Sequence, residues 1–340
     1  MGPRIGGVGA ILVDDVFKVA ALPHGTGLPE PGTKQSASGS EVDETLRRWD
    51  SFVGRTKHSA RVGGPVPIAL TYAHALGAES RFVGGVGRDG GGSIIRAFLA
   101  EHGLSTAYLQ DRAGASGRSL LWLDPRGARS VLFSDATLTP VDPQQVQPTF
   151  LADLDLLHID GRESPAAYAF ASAMRARGRP VIYDVGNWKP HSAKLLNVAT
   201  HVQFPLRSAA AYAGRSTHSL SIGNDAGRLA EKIRRAYGLV LVVLTDGENG
   251  AVFSVKGLPP RILPSYRVDA VDTNGAGDVF AGVMGWAIAN KYPVTQAVSL
   301  ANAAAGWKCQ HDGHVMPTLR TISTFMQGSS LRSSMEVHSL

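Results

Sequence analysis

Cysteine is nearly absent: Cys309 stands alone in 340 residues. One thiol excludes an internal disulfide framework and suits a reducing cytosol. Its place after Trp307 and Lys308 marks it as a buried structural thiol rather than a nucleophile. No run of 18 apolar residues occurs, which excludes a membrane-spanning helix. The opening Met1-Gly2-Pro3-Arg4 lacks the long apolar stretch of a signal peptide, so a cytoplasmic location is expected. Basic residues outnumber acidic ones, 34 to 28, yet they are scattered (Arg4, Arg61, Arg81, Arg96, Arg118) and form no tract of five. That argues against a nucleic-acid partner and fits cations spread around an anionic pocket. Zinc-finger spacing and the Gly-x-x-x-x-Gly-Lys-Ser/Thr phosphate loop are both missing.

What the chain does contain is glycine, 39 residues, within a composition that is 44% hydrophobic. That is enough to bury one large α/β core, with glycines for tight strand–helix turns. Strand patterns at Leu154 to Ile159, Pro180 to Asp184, Thr200 to Phe204 and Val240 to Thr245 alternate with helical ones, such as Ser164 to Arg177 and Asn224 to Tyr237. Such alternation predicts a mostly parallel central sheet with helices on both faces. Two stretches break the pattern. Val13 to Ala21, Ser119 to Leu123 and Val131 to Phe133 read as strands of a separate small sheet. Between Gly32 and Arg61 lies a polar insertion in which Val42, Leu46, Trp49 and Val53 recur at helical spacing after Ser40, a possible cap. The insertion is either helical or a mobile loop.

The most informative segment is Asp272-Thr273-Asn274-Gly275-Ala276-Gly277-Asp278, followed at once by the apolar run Val279 to Ile288. The run reads as a buried helix. Gly275, Ala276 and Gly277 then lie at its N-terminus, where unpaired N–H groups and the helix dipole make an anion cradle. Asp278, in the first turn, would repel a resting phosphate but accept a proton from a hydroxyl attacking it. An acid that merely complements the dipole is the plainer alternative.

This segment resembles the second signature of the ribokinase-like (PfkB) sugar kinases, Asp-Thr-x-Gly-Ala-Gly-Asp, and the match is complete. The resemblance implies Asp278 as catalytic base and Gly275, Ala276 and Gly277 as the hole for the transferred phosphate, with Asp272 and Asn274 where family members hold a monovalent cation such as K+. Other segments agree in order. Gly9 to Val13 ends in Asp14, where the family places an acceptor of sugar hydroxyls, with Asp15 a competitor. Gly63-Gly64-Pro65-Val66-Pro67 looks like the first signature, in which paired glycines approach the sugar, although Pro67 stands in place of the usual Asn. Thr245, Gly247 and Gly250 resemble the turn beside the nucleotide phosphates, or form an ordinary turn between strands. Asn302 lies on the adenine-side helix, with the closing Gly313-x-x-x-Pro317-Thr318 beyond it.

By that resemblance, residues 1–326 form one kinase domain with lid segments at about 13–62 and 116–135, and 327–340 is a frayed tail. The implied activity is ATP-dependent phosphorylation of a hydroxymethyl group on a sugar or polyol, with a nucleoside kinase as alternative. ATP and Mg2+ are the implied cofactors, and a homodimer through the lid is a further expectation. Asp184-x-x-Asn187 fits the family, but the magnesium-linked Asn-x-x-Glu is replaced by Val202 to Ser208, which contains no Glu. Mg2+ is therefore expected to arrive with ATP, held by phosphate oxygens, waters and at most one carboxylate. Leu157 to Arg162 looks like the corresponding strand of fructokinase and ketohexokinase relatives, with Arg162 either meeting phosphates or simply solvated. His311 and His314 lack a third metal ligand and read as solvated. Two rival functions remain. Gly85-x-Gly87-x-x-Gly90 satisfies a dinucleotide fingerprint and suggests a dehydrogenase, although a helix pattern precedes it. A non-catalytic sugar or nucleotide sensor would keep the fold alone.

Overall fold

A computed structural model describes residues 2–22, 29, 34–50, 57–124, 129–134, 139–189, 192–216 and 219–332. Seven strands run parallel: β1 (Arg4–Val8), β5 (Glu79–Val86), β6 (Leu109–Asp111), β9 (Leu156–Ile159), β10 (Val181–Asp184), β11 (His201–Pro205) and β12 (Leu241–Thr245). Antiparallel β13 (Ala251–Val255) and β14 (Arg261–Leu263) extend one edge, giving the order β14-β13-β12-β11-β10-β9-β1-β5-β6. A sheet covered on both faces needs near-continuous apolar strands, and these have them. Successive residues feed opposite cores. Leu156, Ile182, Leu241 and Val243 face α2 (Pro65–Ala75), α8 (Ala276–Ala289) and α9 (Val294–Cys309). Leu157, Val181, Val242 and Leu244 face α4 (Ser164–Ala176) and α7 (Asn224–Ala236).

The smaller sheet is ordered β3-β8-β7-β2-β4, from β2 (Leu12–Lys18), β3 (Lys34–Ala37), β4 (Lys57–Gly63), β7 (Gly117–Leu123) and β8 (Arg129–Ser134). Its outward face carries Phe17, Leu120, Trp122 and Leu132, and the polar insertion lies over it as α1 (Gly39–Asp50), which contributes Val42, Leu46 and Trp49. The Trp122 ring centroid is 6.0 Å from that of Phe17 and 5.6 Å from that of Trp49. The helix cap is Ser38, not Ser40. The Glu41 N–H donates to Ser38 Oγ (3.3 Å) while the Ser38 N–H donates to Glu41 Oε2 (2.7 Å), a reciprocal box that Ser-x-x-Glu spacing favours. Val53 lies outside the described residues.

The C-terminal segment also departs from expectation. Gly328 closes α10 (Leu319–Gly328), Leu331 bridges Tyr266, and Arg332 pairs with Glu248 at 3.0 Å. Residues 327–332 are therefore docked rather than frayed, and 333–340 lie outside the described residues.

Candidate active site

The carboxyl ends of β1, β9, β10, β11 and β12 open into one cavity of about 1840 Å³, roofed by the smaller sheet. Ligands in open α/β sheets bind at this edge. Single-ligand pockets run to roughly 1,000 Å³, so the space suits two ligands side by side.

Gly275 caps α8 in the left-handed conformation (φ 78°), a backbone geometry that glycine adopts without strain, and it swings the chain so that the first turn of α8 lines the cavity. Among the described residues no partner takes the Gly275 or Gly277 N–H, and Ala276 N–H makes only a 3.3 Å bond to the Thr273 carbonyl. The Asp278 carboxylate folds over this turn: a Cβ built on Gly275 would lie 3.7 Å from its Oδ2. Opposite stands Asp184, at the end of β10 and only 5% exposed. Burial, and then the Asp278 charge, push its carboxyl up to about 8 against a bond from the Gly186 N–H. Gln203 braces the turn through Nε2 to the Gly277 carbonyl (3.0 Å), while its buried Oε1 has no partner.

At the other end, strand alternation separates the two candidate acids. Asp14 lines the cavity, hydrogen-bonded by Ser119 Oγ. Asp15 points away, 1% exposed, and accepts from Arg118 Nε at 2.6 Å. Gly63 and Gly64 also line the cavity. The Asp14 carboxylate occupies the space a Gly63 side chain would need, at 2.1 Å, and Gly64 (φ 121°) would drive a Cβ to 2.3 Å from the Ala10 carbonyl. Pro67 is buried in the first turn of α2. Beneath this end Asp160 accepts from the Ala10 and Arg162 N–H groups, and burial raises its carboxyl to about 6.

Thr245, Gly247, Gly250 and Asn302 gather at the far wall. Gly247 and Gly250 form the β12–β13 hairpin turn, so this glycine turn both joins two strands and faces the cavity. Asn302 is held by Nδ2 donating to the Pro264 carbonyl at 2.9 Å. Arg332, from the docked C-terminal segment, closes this wall, which sequence patterns gave no reason to expect. Arg162, Lys189 and Arg207 stand exposed at the rim.

The loop expected to hold a monovalent cation is bounded by Asp272 and Asn274. Asp272 is buried and accepts from Asn274 N–H (2.8 Å), Gly313 N–H (3.0 Å) and Arg61 (3.1 Å). Lys308, 1% exposed in the last turn of α9, donates through Nζ to the Asp272 carbonyl at 2.8 Å and to the Asn274 carbonyl. The carbonyls of Asp272 and Asn274 therefore already face an ammonium. His311 and His314 are half-buried rather than fully solvated as expected. His311 stacks on Trp307, and His314 Nε2 donates to the Val62 carbonyl at 3.0 Å. No group of three or more His, Cys, Asp or Glu able to hold a metal occurs among the described residues.

The dinucleotide fingerprint belongs to structure rather than to a ligand. Asp89 caps α3 (Gly90–Glu101) by accepting from the Gly92 N–H (2.7 Å) and from Ser116 N–H and Oγ (2.8 and 2.7 Å). A carboxylate thus fills the place a pyrophosphate would need. No helix among the described residues is long and apolar enough to cross a membrane.

Comparison with known proteins agrees with this architecture. Residues 61–320 match the model of the pfkB family carbohydrate kinases. The bifunctional protein HldE of Caulobacter vibrioides is 31% identical over 260 residues, which is 74% of this chain but 52% of that protein, so the chain spans about half its length. The aminoimidazole riboside kinase of Salmonella typhimurium is 26% identical, covering 77% of this chain and 86% of its own. Among solved structures, Arabidopsis thaliana ribokinase complexed with ribose and ATP superposes with a TM-score of 0.75 at 20% identity, over 96% of this chain and 99% of that one.

Proposed function

Because the chain belongs to the pfkB family of carbohydrate kinases, we propose that it transfers the terminal phosphoryl group of ATP to a hydroxymethyl group of a sugar or related polyol. The observation that carries this reading is the meeting, in one cavity, of Asp278 with the open N-terminus of α8, while Asp14 stands under the smaller sheet. The acceptor lies between Asp14 and Asp278, and two adjacent hydroxyls donate to the Asp14 carboxylate. Asp278 takes the proton as the acceptor oxygen attacks phosphorus. The new O–P bond forms as the bond to the β,γ-bridging oxygen breaks, and ADP leaves with that oxygen. The Gly275 and Gly277 N–H groups receive the charge that develops on the phosphoryl oxygens. ATP extends along Thr245, Gly247 and Gly250 toward Asn302.

The residues present fit a nucleotide-borne Mg2+. Gln203 Oε1 is buried without a partner, and the neighbouring Asp184 carboxyl, pushed up by burial and by Asp278, would ionise more readily beside a cation. Bound there, Mg2+ would neutralise phosphate charge.

The test is an ATP-consumption screen over ribose, fructose, other ketoses, sugar acids and nucleosides. Acceptor-dependent ADP formation and a phosphorylated hydroxymethyl product are expected. A protein that binds ATP and a sugar tightly yet forms no ADP with any acceptor is a sensor, and the proposal fails.

A further inference from the structure

Lys308 is a fully buried ammonium whose contacts come from the loop in front of the anion turn. Nζ donates to the Asp272 carbonyl at 2.8 Å and to the Asn274 carbonyl, and it lies 3.4 Å from Asp272 Oδ2. Two peptide carbonyls and a carboxylate around one point are the oxygen set that replaces the hydration shell of a monovalent metal ion. Here the point is taken by a cation the chain supplies. The same helix end holds the loop by a second means: the Val271 and Asp272 N–H groups donate to the Cys309 carbonyl, at 2.7 and 3.1 Å. A further cation entering this shell would stand beside both Lys308 and Arg61, with Asp272 already shared between them.

We propose that Lys308 is a built-in monovalent cation: it replaces an exchangeable K+ at the loop Asp272–Asn274, and the enzyme turns over without K+. The inference rests on the kinase reading for its effect on turnover, but not for its effect on the loop. Lys308 touches neither ligand. It is a positioning residue, fixing the carbonyls that precede Gly275 and so the height at which the turn presents its N–H groups. The last turn of α9 suits the charge, since the negative end of the helix dipole lies there.

The test compares wild type with Lys308→Ala, which opens room for an ion, in potassium, ammonium and choline chlorides at equal ionic strength. Turnover and melting temperature are both read. Wild type should be indifferent to the cation on both measures. In choline the variant should lose roughly ten- to a hundredfold in turnover, the scale of a misplaced catalytic group, and should melt lower. Both losses should be partly restored by K+ or NH4+. A wild-type enzyme that needs K+, or a folded variant whose activity and melting ignore K+, overturns the proposal. If the variant does not fold in any of these salts, the wild-type titration decides alone. If wild type consumes no ATP with any acceptor, the kinase reading fails, while the melting comparison still judges Lys308.

Discussion

Asp184 provides the sharpest quantitative expectation. Its carboxyl sits about four pH units above the ordinary Asp range, first because it is buried and second because Asp278 is charged nearby. Between about pH 4 and about pH 8 the folded protein thus holds one proton that the unfolded chain has released. The slope of stability is then about −1.4 kcal/mol per pH unit for this group. The sign is that of a raised carboxyl: stability is fully present at low pH and lost as pH rises through about 8. Summed over the whole interval this reaches at most about 5–6 kcal/mol. Asp184→Asn keeps an oxygen to accept from the Gly186 N–H while removing the titration. Without nucleotide, the variant should melt a few degrees above wild type near pH 8–9, with the gap about halved at pH 6 and closing toward pH 4. Asp160, raised to about 6, keeps its own slope below that in both proteins. Melting curves across this range provide the assay, and a gap independent of pH would refute the argument. With Mg2+ and a non-hydrolysable ATP analogue, wild type should release a proton, and its apparent Mg2+ affinity should rise with pH.

Further outcomes follow from the same geometry. Asp278→Asn should lower turnover by roughly a hundredfold or more, the scale of a lost general base; near-normal turnover would remove Asp278 from the chemistry, and the ATP dissociation constant should change little. Asp14→Ala should raise the acceptor KM by about ten- to a hundredfold, since a hydrogen bond to a charged partner contributes about 1.5–3 kcal/mol. The KM for ATP should hold, and a loss confined to ATP would reverse the assigned orientation of the ligands. Gly64→Ala should destabilise by about 2–4 kcal/mol in denaturant titration, combining a positive φ with a backbone clash at Ala10.

The parts legible in the sequence were those set by local periodicity and by one uninterrupted signature. β10 and β12 fall within a residue of their expected starts, and α4 and α7 within a residue of their expected ends, because apolar runs and glycine stops are local signals. The turn at Gly275 was legible for the same reason. Contacts made by tertiary closure were not. Lys308 reads as an ordinary last-turn cation until α9 packs and brings it to a carbonyl 36 residues away. Asp14 and Asp15 are interchangeable on paper, and only the face of β2 that overlies the cavity separates them. The scattered basic residues prove in part to be ion-pair partners, Arg118 with Asp15 and Arg61 with Asp272 and Asp312. Asp184 was visible as a motif residue, but its raised carboxyl depends on burial and on Asp278, which lies 94 positions along the chain.

The helix that covers the smaller sheet changes how the protein depends on its own concentration. A sheet face bearing Phe17, Leu120 and Trp122 that waited for a second molecule would be covered or bare according to mass action, and dilution would uncover it. Here the covering element is tethered in the same chain, so Val42, Leu46 and Trp49 meet that face in a unimolecular step whose effective concentration is set by the tether alone. The roof over the cavity therefore carries its own cover at any dilution.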